Sequence, residues 1–404
     1  MIRRTPFHER LAPLNETGLF SHWSGHMVSV KYQLDEKAEY FAVRNAAGLI
    51  DTSPLYTYRI TGPDAERFLA GVLARDVRTC VDGQAQYTLW CDDDGHVVED
   101  GVVFRHSAEH YWLTAAEPNL NWFLNLSPGH RVTIEDVSAR YGSLAVQGPR
   151  ARAILASLAP EVAGLGFFRH ATVTIGGAEV VVSRTGYTGD LGYEVWVDAD
   201  DAPQVFDAVW EAGRPHLLAP VGQEALLMLR IEAGLLLLDA DFHSSRFTFT
   251  DTDRLSPLEL GLRWMLKDLG GDRRFVGRDA IRRELAAGAS RWAQVGIMVD
   301  EAEWNQLHTE HGIIPPKDYR PVPWEMMLFD GDTTDGLRRV GHTTSFMWSP
   351  VLQRHIGMAR VEPRLAAPGS EVRVEITIDH RYQTVAAKVA RAPLFDPPRK
   401  TATP

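Results

Sequence analysis

The sequence predicts an α+β protein of more than one domain that ends in a β-barrel. Three observations carry that expectation. A chain of 404 residues exceeds what one hydrophobic core supports. Its first two thirds mix strands and helices in a β-α-β-β order, which suits antiparallel sheets with helices on one face. After about residue 285 the texture changes to short alternating strands separated by Gly, Pro and Asp, the pattern of a barrel or jelly roll.

Taken in order, residues 38–50 read as a helix running into Gly48-Leu49-Ile50-Asp51. Tyr56–Ile60 alternates as a strand and stops at Gly62-Pro63. Asp64 stands where a helix cap is needed, and Phe68, Leu69, Val72 and Leu73 follow at helical spacing. Ala85–Cys91 and Val97–Arg105 are strands joined by the hairpin signal Asp92-Asp93-Asp94-Gly95. Tyr111–Ala115 is a further strand and Pro118–Leu126 a helix. Ser143–Val146 is a strand entering Gly148-Pro149, with a helix over 150–158. Residues 179–183 and 194–197 form a strand pair, and Ala202–Ala212 an amphipathic helix. Glu224–Leu238 reads as a longer helix, apolar almost all round and therefore buried. The barrel strands are Gln294–Val299, Arg338–Thr343, His355–Val361, Glu371–Ile378 and Gln383–Val389. The aromatic segment 301–335 reads as a loop, of a length that more often serves function than filler. The tail Asp396-Pro397-Pro398-Arg399-Lys400 reads as extended and mobile.

Composition narrows the function classes. Net charge is −11 with acids and bases interspersed, which argues against nonspecific nucleic-acid binding. No apolar run approaches the length of a membrane span, and Met1–Pro6 lacks the apolar stretch of a secretory signal. Cys80 and Cys91 alone make neither a disulfide framework nor a zinc site, and fit as packing residues in a reducing cytoplasm. Eleven Trp are enough for some to line a pocket for flat or cationic groups.

The most telling stretch runs from Ser183 to Glu194. Gly186, Gly189 and Gly192 permit positive φ and close approach of a flat ligand. Glu194-Val195-Trp196-Val197 alternates, so Glu194 and Trp196 share a face. An inward carboxylate beside aromatics needs a partner, and a heterocycle with two parallel N–H donors would serve. An exposed hairpin glutamate is the other reading.

Further candidates follow the same logic. Glu99 and Asp100 point to opposite faces of an apolar strand, so one faces inward. There a carboxylate needs a cation or several donors, unless it only closes the hairpin. Arg230 lies among Leu226, Met228, Leu229 and Ile231 and must be paired, with Glu232 or a ligand as partner. Asp239, Asp241 and His243 follow that helix, either as acid/base groups or as a solvated turn. His308 and His311 stand at i, i+3 without a third ligand, so no metal is expected. No Gly-rich phosphate loop, nucleophile elbow or Cys–His pair is present in the sequence.

Several segments, in this order, resemble the glycine-cleavage T-protein (aminomethyltransferase) family of folate enzymes. They include Phe41–Asp51, Ile60–Ala65, Gln86-Tyr87 with Gly95–Asp100, Leu144–Pro149, Arg184–Glu194, Leu229–Gly234, Phe275–Arg278, Gly341–Ser345 and His355–Ala359. The resemblance implies a three-domain cloverleaf with tetrahydrofolate in its central hole. Residues 1–285 would form a folate-binding region of two interleaved subdomains, the smaller over roughly 52–140, followed by a barrel over 286–396 and a tail over 397–404. By the same resemblance Glu194 would accept hydrogen bonds from the pterin ring. Asp100 matches the catalytic aspartate, and Tyr87 a tyrosine lining the folate pocket. Arg230 and Tyr187, in the matching segments, and Trp196, which shares a face with Glu194, are expected beside the cofactor.

The departures bear on the exact reaction. Asp51-Thr52-Ser53-Pro54-Leu55-Tyr56 stands where T-proteins read Asp-Val-Ser-His-Met-Gly, and Ala225-Leu226-Leu227 replaces Ala-Arg-Asp. Gln294 replaces an arginine near the folate tail and would hold a carboxylate less well. Asp300–Asn305 and Pro368–Val372 look more like the tetrahydrofolate-dependent O-demethylase branch. The expectation is a methyltransferase or demethylase that passes a methyl group from a small methylated substrate to N5 of tetrahydrofolate. Alignment would contribute most, with Asp100 stabilising developing positive charge. An ether substrate would also need an acid, for which His243 or Tyr58 are the candidates. Two other readings stand: an aminomethyltransferase acting on a lipoyl carrier protein, and a noncatalytic folate-binding protein.

Overall fold

The computed structural model describes residues 2–322, 325–330 and 336–403, and three β-assemblies organise them. The first is a six-stranded sheet in the order His170–Ile175, Ala178–Ser183, Gly192–Asp198, Tyr141–Gln147, Ala47–Asp51, Leu218–Pro220. Strand alternation splits its side chains in two. Leu49, Leu144, Val146, Tyr193, Val195 and Val197 form a core with the helices Ala151–Leu158 and Ala202–Gly213. The opposite face carries Ile50, Ala145 and Glu194, paired across three neighbouring strands, with Trp196 two residues on.

The second assembly is an antiparallel sheet in the order Gln84–Cys91, Val97–Ser107, His110–Ala115, Tyr56–Thr61, Thr133–Asp136. Tyr58, Ile60, Trp90, Val98, Val103 and Leu113 pack with the helices Ala65–Val72 and Leu120–Leu126. On the other face Leu89, Cys91 and Val97 pack with Leu238, Phe242, Leu262, Met265 and Ile281 of the connecting segment. Further along that face Ala85, Phe104 and Trp112 meet Trp196 of the first sheet. Both cysteines are buried and unpaired, as expected.

The third assembly is a closed barrel of six strands, Ala293–Val299, Arg354–Val361, Arg338–Ser349, Met327–Asp330, Glu371–Ile378 and Arg381–Ala390, filled by apolar side chains such as Val295, Ile297, Leu328, Val374 and Val385. Among the described residues no helix is long and apolar enough to cross a membrane.

Four local expectations are corrected. The helix expected over 38–50 is Glu36–Asn45, and Ala47–Asp51 is instead a strand of the first sheet. The helix expected over 224–238 is Gln223–Glu232. It stops because Gly234 turns left-handed at φ +63° against Ala392, where a Cβ would not fit. The segment 301–335 is not all loop. Asp300 caps a helix over Glu301–Glu310 through the amides of Ala302 and Glu303, and Trp304 stacks on His355 of the barrel at 3.9 Å. Residues 323, 324 and 331–335 of that segment lie outside the described residues.

The C-terminal segment is docked rather than free. Arg399 pairs with Asp190 at 2.6 and 2.7 Å, and the Arg184 guanidinium donates to the carbonyls of Lys400 and Ala402. The amides of Leu394 and Phe395 donate to the Glu232 carbonyl. Asp190 and Glu232 together hold the buried Arg44, and Glu232 also accepts from Tyr40 and Ser349.

Candidate active site

Sheet register places Asp100 and Tyr87 on one face of the second sheet, one diagonal step apart, since Tyr87 opposes Val102 and Leu89 opposes Asp100. The Tyr87 hydroxyl donates to Asp100 Oδ2 at 2.6 Å. Asp100 is enclosed by protein yet keeps some solvent access, as a side chain on a cavity wall does. Burial pushes its carboxyl up to about 6, the Tyr87 hydrogen bond works against that rise, and repulsion from Asp241 adds to it. Glu99, on the opposite face, accepts from the amides of Ala116 and Glu117 and from the Asn119 side chain. Alternation showed that the two carboxylates part, but not that Glu99 is buried too.

Glu194 projects from the first sheet, half-buried. The Thr185 hydroxyl donates to it, and no cation pairs with it among the described residues. Burial raises its pKa. Gln147, fully buried, organises the turn before it. Its amide donates to the carbonyls of Thr185 and Tyr193 and accepts from Thr188. Gly186 and Gly192 leave room for that amide and do not adopt positive φ; of the three glycines only Gly189 does, at +71°. Two of the three glycines thus serve close approach of the Gln147 amide rather than positive φ.

Tyr187 donates its hydroxyl to the Leu236 carbonyl and has Arg230, Asp100 and Asp241 as electrostatic neighbours. Arg230, expected on Glu232 or a ligand, is instead held by Asp241 and by Ser345 at 2.6 Å. Asp241 also accepts from the Leu237 amide and Thr344, and its carbonyl accepts from Arg360. The pair is a buried strut beside Asp100. Its partner choice was hidden because the Gly234 turn, not helix periodicity, brings residue 241 back.

Trp196 is buried in the seam between the sheets, edge-on to Phe104 at 5.9 Å and Trp112 at 6.3 Å, so it acts there as packing. His243 stands at the surface, its side chain 57% exposed and 3.3 Å from Asp239. Tyr58 packs in the core on the opposite face from Asp100, and its hydroxyl accepts from the Asn119 amide at 2.6 Å. Gln294, paired in register with Arg360, has both ends of its amide buried without a partner among the described residues.

Among the described residues no group of His, Cys, Asp or Glu is arranged to hold a metal. His308 and His311 each turn Nδ1 to a backbone carbonyl one turn earlier. A separate depression of about 430 Å³, counting the part open to solvent, lies by the N-terminal hairpin and is lined by Trp23, Tyr32, Asp51 and Leu226. Asp51 alternates with Ile50 and so faces away from the Glu194 side of the sheet.

Comparison with known proteins agrees with this architecture. Residues 12–268 match the GCVT N-terminal domain, and residues 312–396 the glycine cleavage T-protein C-terminal barrel domain. An aminomethyltransferase of Lysinibacillus sphaericus is 32% identical, covering 93% of this chain and 94% of its own. A trimethylamine-oxide aldolase of Ruegeria pomeroyi is 31% identical over 98% of this chain, which spans 47% of that relative's length. The crystal structure of glycine cleavage system aminomethyltransferase T from Bartonella henselae shares the fold, with TM-score 0.81 at 22% identity, 98% of this chain and 99% of that one being covered. The chain therefore belongs to the glycine-cleavage T-protein family of aminomethyltransferases, transferases that act on one-carbon units.

Proposed function

We propose that the protein moves a methyl group from a small methylated substrate to N5 of tetrahydrofolate. The observation that supports this most is the state of Glu194 and Asp100. They stand on two sheets that pack through Trp196, both partly open to solvent, neither paired with a cation among the described residues, both raised in pKa by burial. Carboxylates left this way destabilise a ligand-free protein and are relieved by a ligand that brings N–H donors and positive charge.

The residues present fit a reduced pterin. Glu194 would accept from its amino and ring N–H groups, each bond contributing about 1.5–3 kcal/mol. Tyr87 and Tyr187 offer flat walls, and the unsatisfied Gln294 amide offers a neutral partner. The bound cofactor supplies an amine nitrogen that accepts the one-carbon group. Asp100, titrating at about 6, can hold or release a proton near neutral pH, and its ionised form favours positive charge on an amine beside it. The Tyr87 hydroxyl fixes the orientation of that carboxylate.

The relative named for trimethylamine oxide makes methylated nitrogen compounds the first donors to try. A second reading, transfer from an aminomethylated lipoyl carrier protein, is favoured by the end-to-end match to an aminomethyltransferase. Incubation with tetrahydrofolate and a panel of methylamines, betaines, methoxyaromatics and sulfonium compounds, and separately with an aminomethylated lipoyl carrier protein, with folate products read by mass, tests both. Formation of 5-methyltetrahydrofolate with one donor, lost in Asp100→Asn, supports the first reading. Methylenetetrahydrofolate formed only with the carrier supports the second. No product despite tight folate binding overturns both in favour of a noncatalytic role.

A further inference from the structure

The depression beside the N-terminal hairpin combines one carboxylate with apolar and aromatic walls. Asp51, at the end of the strand Ala47–Asp51, lines it and is half-buried. Its carboxylate accepts from the Thr5 hydroxyl at 2.6 Å and from the Ser53 amide at 3.1 Å, and among the described residues it pairs with no Lys or Arg. An ionised carboxylate takes up to about four donors, so part of its capacity is free. His8 lines the same depression, and His26 is an electrostatic neighbour of Asp51. Burial holds both imidazoles below their ordinary pKa, so near neutral pH neither brings a positive charge.

The other walls are aromatic and aliphatic. Trp23 and Met27 come from the two hairpin strands, Phe20–Trp23 and His26–Ser29; Tyr32 follows them, and Leu226 comes from the helix Gln223–Glu232. The start of that helix offers no competing anion site, because Glu39 already accepts from the Gly222 amide at 2.7 Å. Leu226 stands where T-proteins carry arginine, so a wall position that would hold a guanidinium is here apolar.

A half-buried carboxylate carries a desolvation cost that an incoming cation removes. The walls decide which cation. Ammonium or a guanidinium would leave N–H groups against Leu226 and Val28 without acceptors. A tertiary methylated ammonium has one N–H for Asp51, methyl groups for the apolar wall, and a charge that the faces of Trp23 and Tyr32 attract. At about 430 Å³ with its open part included, the depression has room for an ion of that size.

We infer that this depression binds a small N-methylated ammonium ion, with Asp51 as counter-ion and Trp23, Tyr32 and Leu226 as the walls that meet its methyl groups. Ile50 and Leu226 line the depression and also belong to the apolar cluster against which Tyr187 packs, so the ion rests one wall away from the candidate active site. Asp51 repels a donor that carries its own carboxylate. The site therefore selects simple methylated amines as the donor class, a step that rests on the folate reading above.

Calorimetric titration of the full chain tests this with trimethylammonium chloride, ammonium chloride and tert-butanol, a neutral molecule of similar shape. Wild type is expected to bind trimethylammonium at least about tenfold more tightly than either of the others. Asp51→Asn, which keeps an oxygen for Thr5, should weaken it at least about tenfold, and Leu226→Arg, which puts a guanidinium on the wall, should abolish binding. Both variants should hold tetrahydrofolate within about threefold of wild type, which reports an intact fold. Ammonium or tert-butanol bound as tightly as trimethylammonium, or trimethylammonium affinity unchanged in either variant, would overturn the inference. In turnover with a methylamine, Leu226→Arg should raise KM for the amine at least about tenfold and leave KM for tetrahydrofolate near its wild-type value; an unchanged amine KM would overturn the donor assignment. Trimethylammonium binding without tetrahydrofolate binding keeps the site and removes the folate reading. Tetrahydrofolate binding without trimethylammonium binding removes the site and keeps the folate reading.

Discussion

Replacing Asp100 with Asn separates what the carboxylate costs the fold from what it does for the reaction. Asn keeps an oxygen that can accept from Tyr87 and loses the charge. In the unfolded chain the carboxyl titrates near its ordinary 3.8; in the folded protein burial pushes it up to about 6. Below 3.8 both states hold the proton. As pH rises towards 6 the unfolded chain releases it first, so stability falls, and above 6 the full cost stands. The gap corresponds to about 3 kcal/mol as an upper bound. Solvent reaching the side chain reduces this to about 1–2 kcal/mol. Ligand-free Asp100→Asn should therefore melt a few degrees higher than wild type at pH 7.5, and the difference should shrink by more than half at pH 4.5. Turnover should fall at least about 100-fold. Calorimetric melting at the two pH values, beside product formation by mass, reads both effects. A variant less stable than wild type at pH 7.5, or one whose gain is the same at both pH values, would refute the reasoning.

Three further outcomes are expected. Glu194→Gln puts an N–H donor where two ligand donors should arrive, costing about 2–4 kcal/mol, or roughly 30- to 1000-fold in tetrahydrofolate affinity by calorimetry; a change under about threefold would remove Glu194 from the site. Asp241→Asn leaves Arg230 as an uncompensated buried cation and should destabilise by about 3 kcal/mol or more in thermal melts; an unchanged melting temperature would show that the strut is not needed. His243→Ala, at an exposed position beside Asp239, should alter turnover by less than about threefold; a hundredfold loss would return it to the chemistry.

Strand alternation made most of the β framework legible, because a half-buried strand writes its two faces into every second residue. Glu194 stands out that way; for Asp100 alternation shows only that it and Glu99 part to opposite faces, and the family resemblance chooses between them. What stayed hidden depends on contacts distant in sequence. Arg230 and Asp241 meet only because Gly234 ends a helix whose apolar pattern continues to Leu238. The turn at Gly186–Gly192 needed small residues chiefly to admit Gln147, some 40 residues away, and nothing in the motif names that neighbour. Trp196 shares a face with Glu194, but which parts of that face a second sheet covers is a tertiary fact.

The docking of residues 394–402 has a consequence for a segment far earlier in the chain. Arg44, committed to the first helix-and-strand pair, finds Glu232 some 190 residues later, and the acid that shares it, Asp190, is capped by Arg399. The Phe395 ring then covers the Arg44 guanidinium at 4.5 Å. A buried cation set at residue 44 is thus sealed by residues 395–399, so the helix Glu36–Asn45 and this distant segment stabilise one another, and loosening either opens the same charged centre to water.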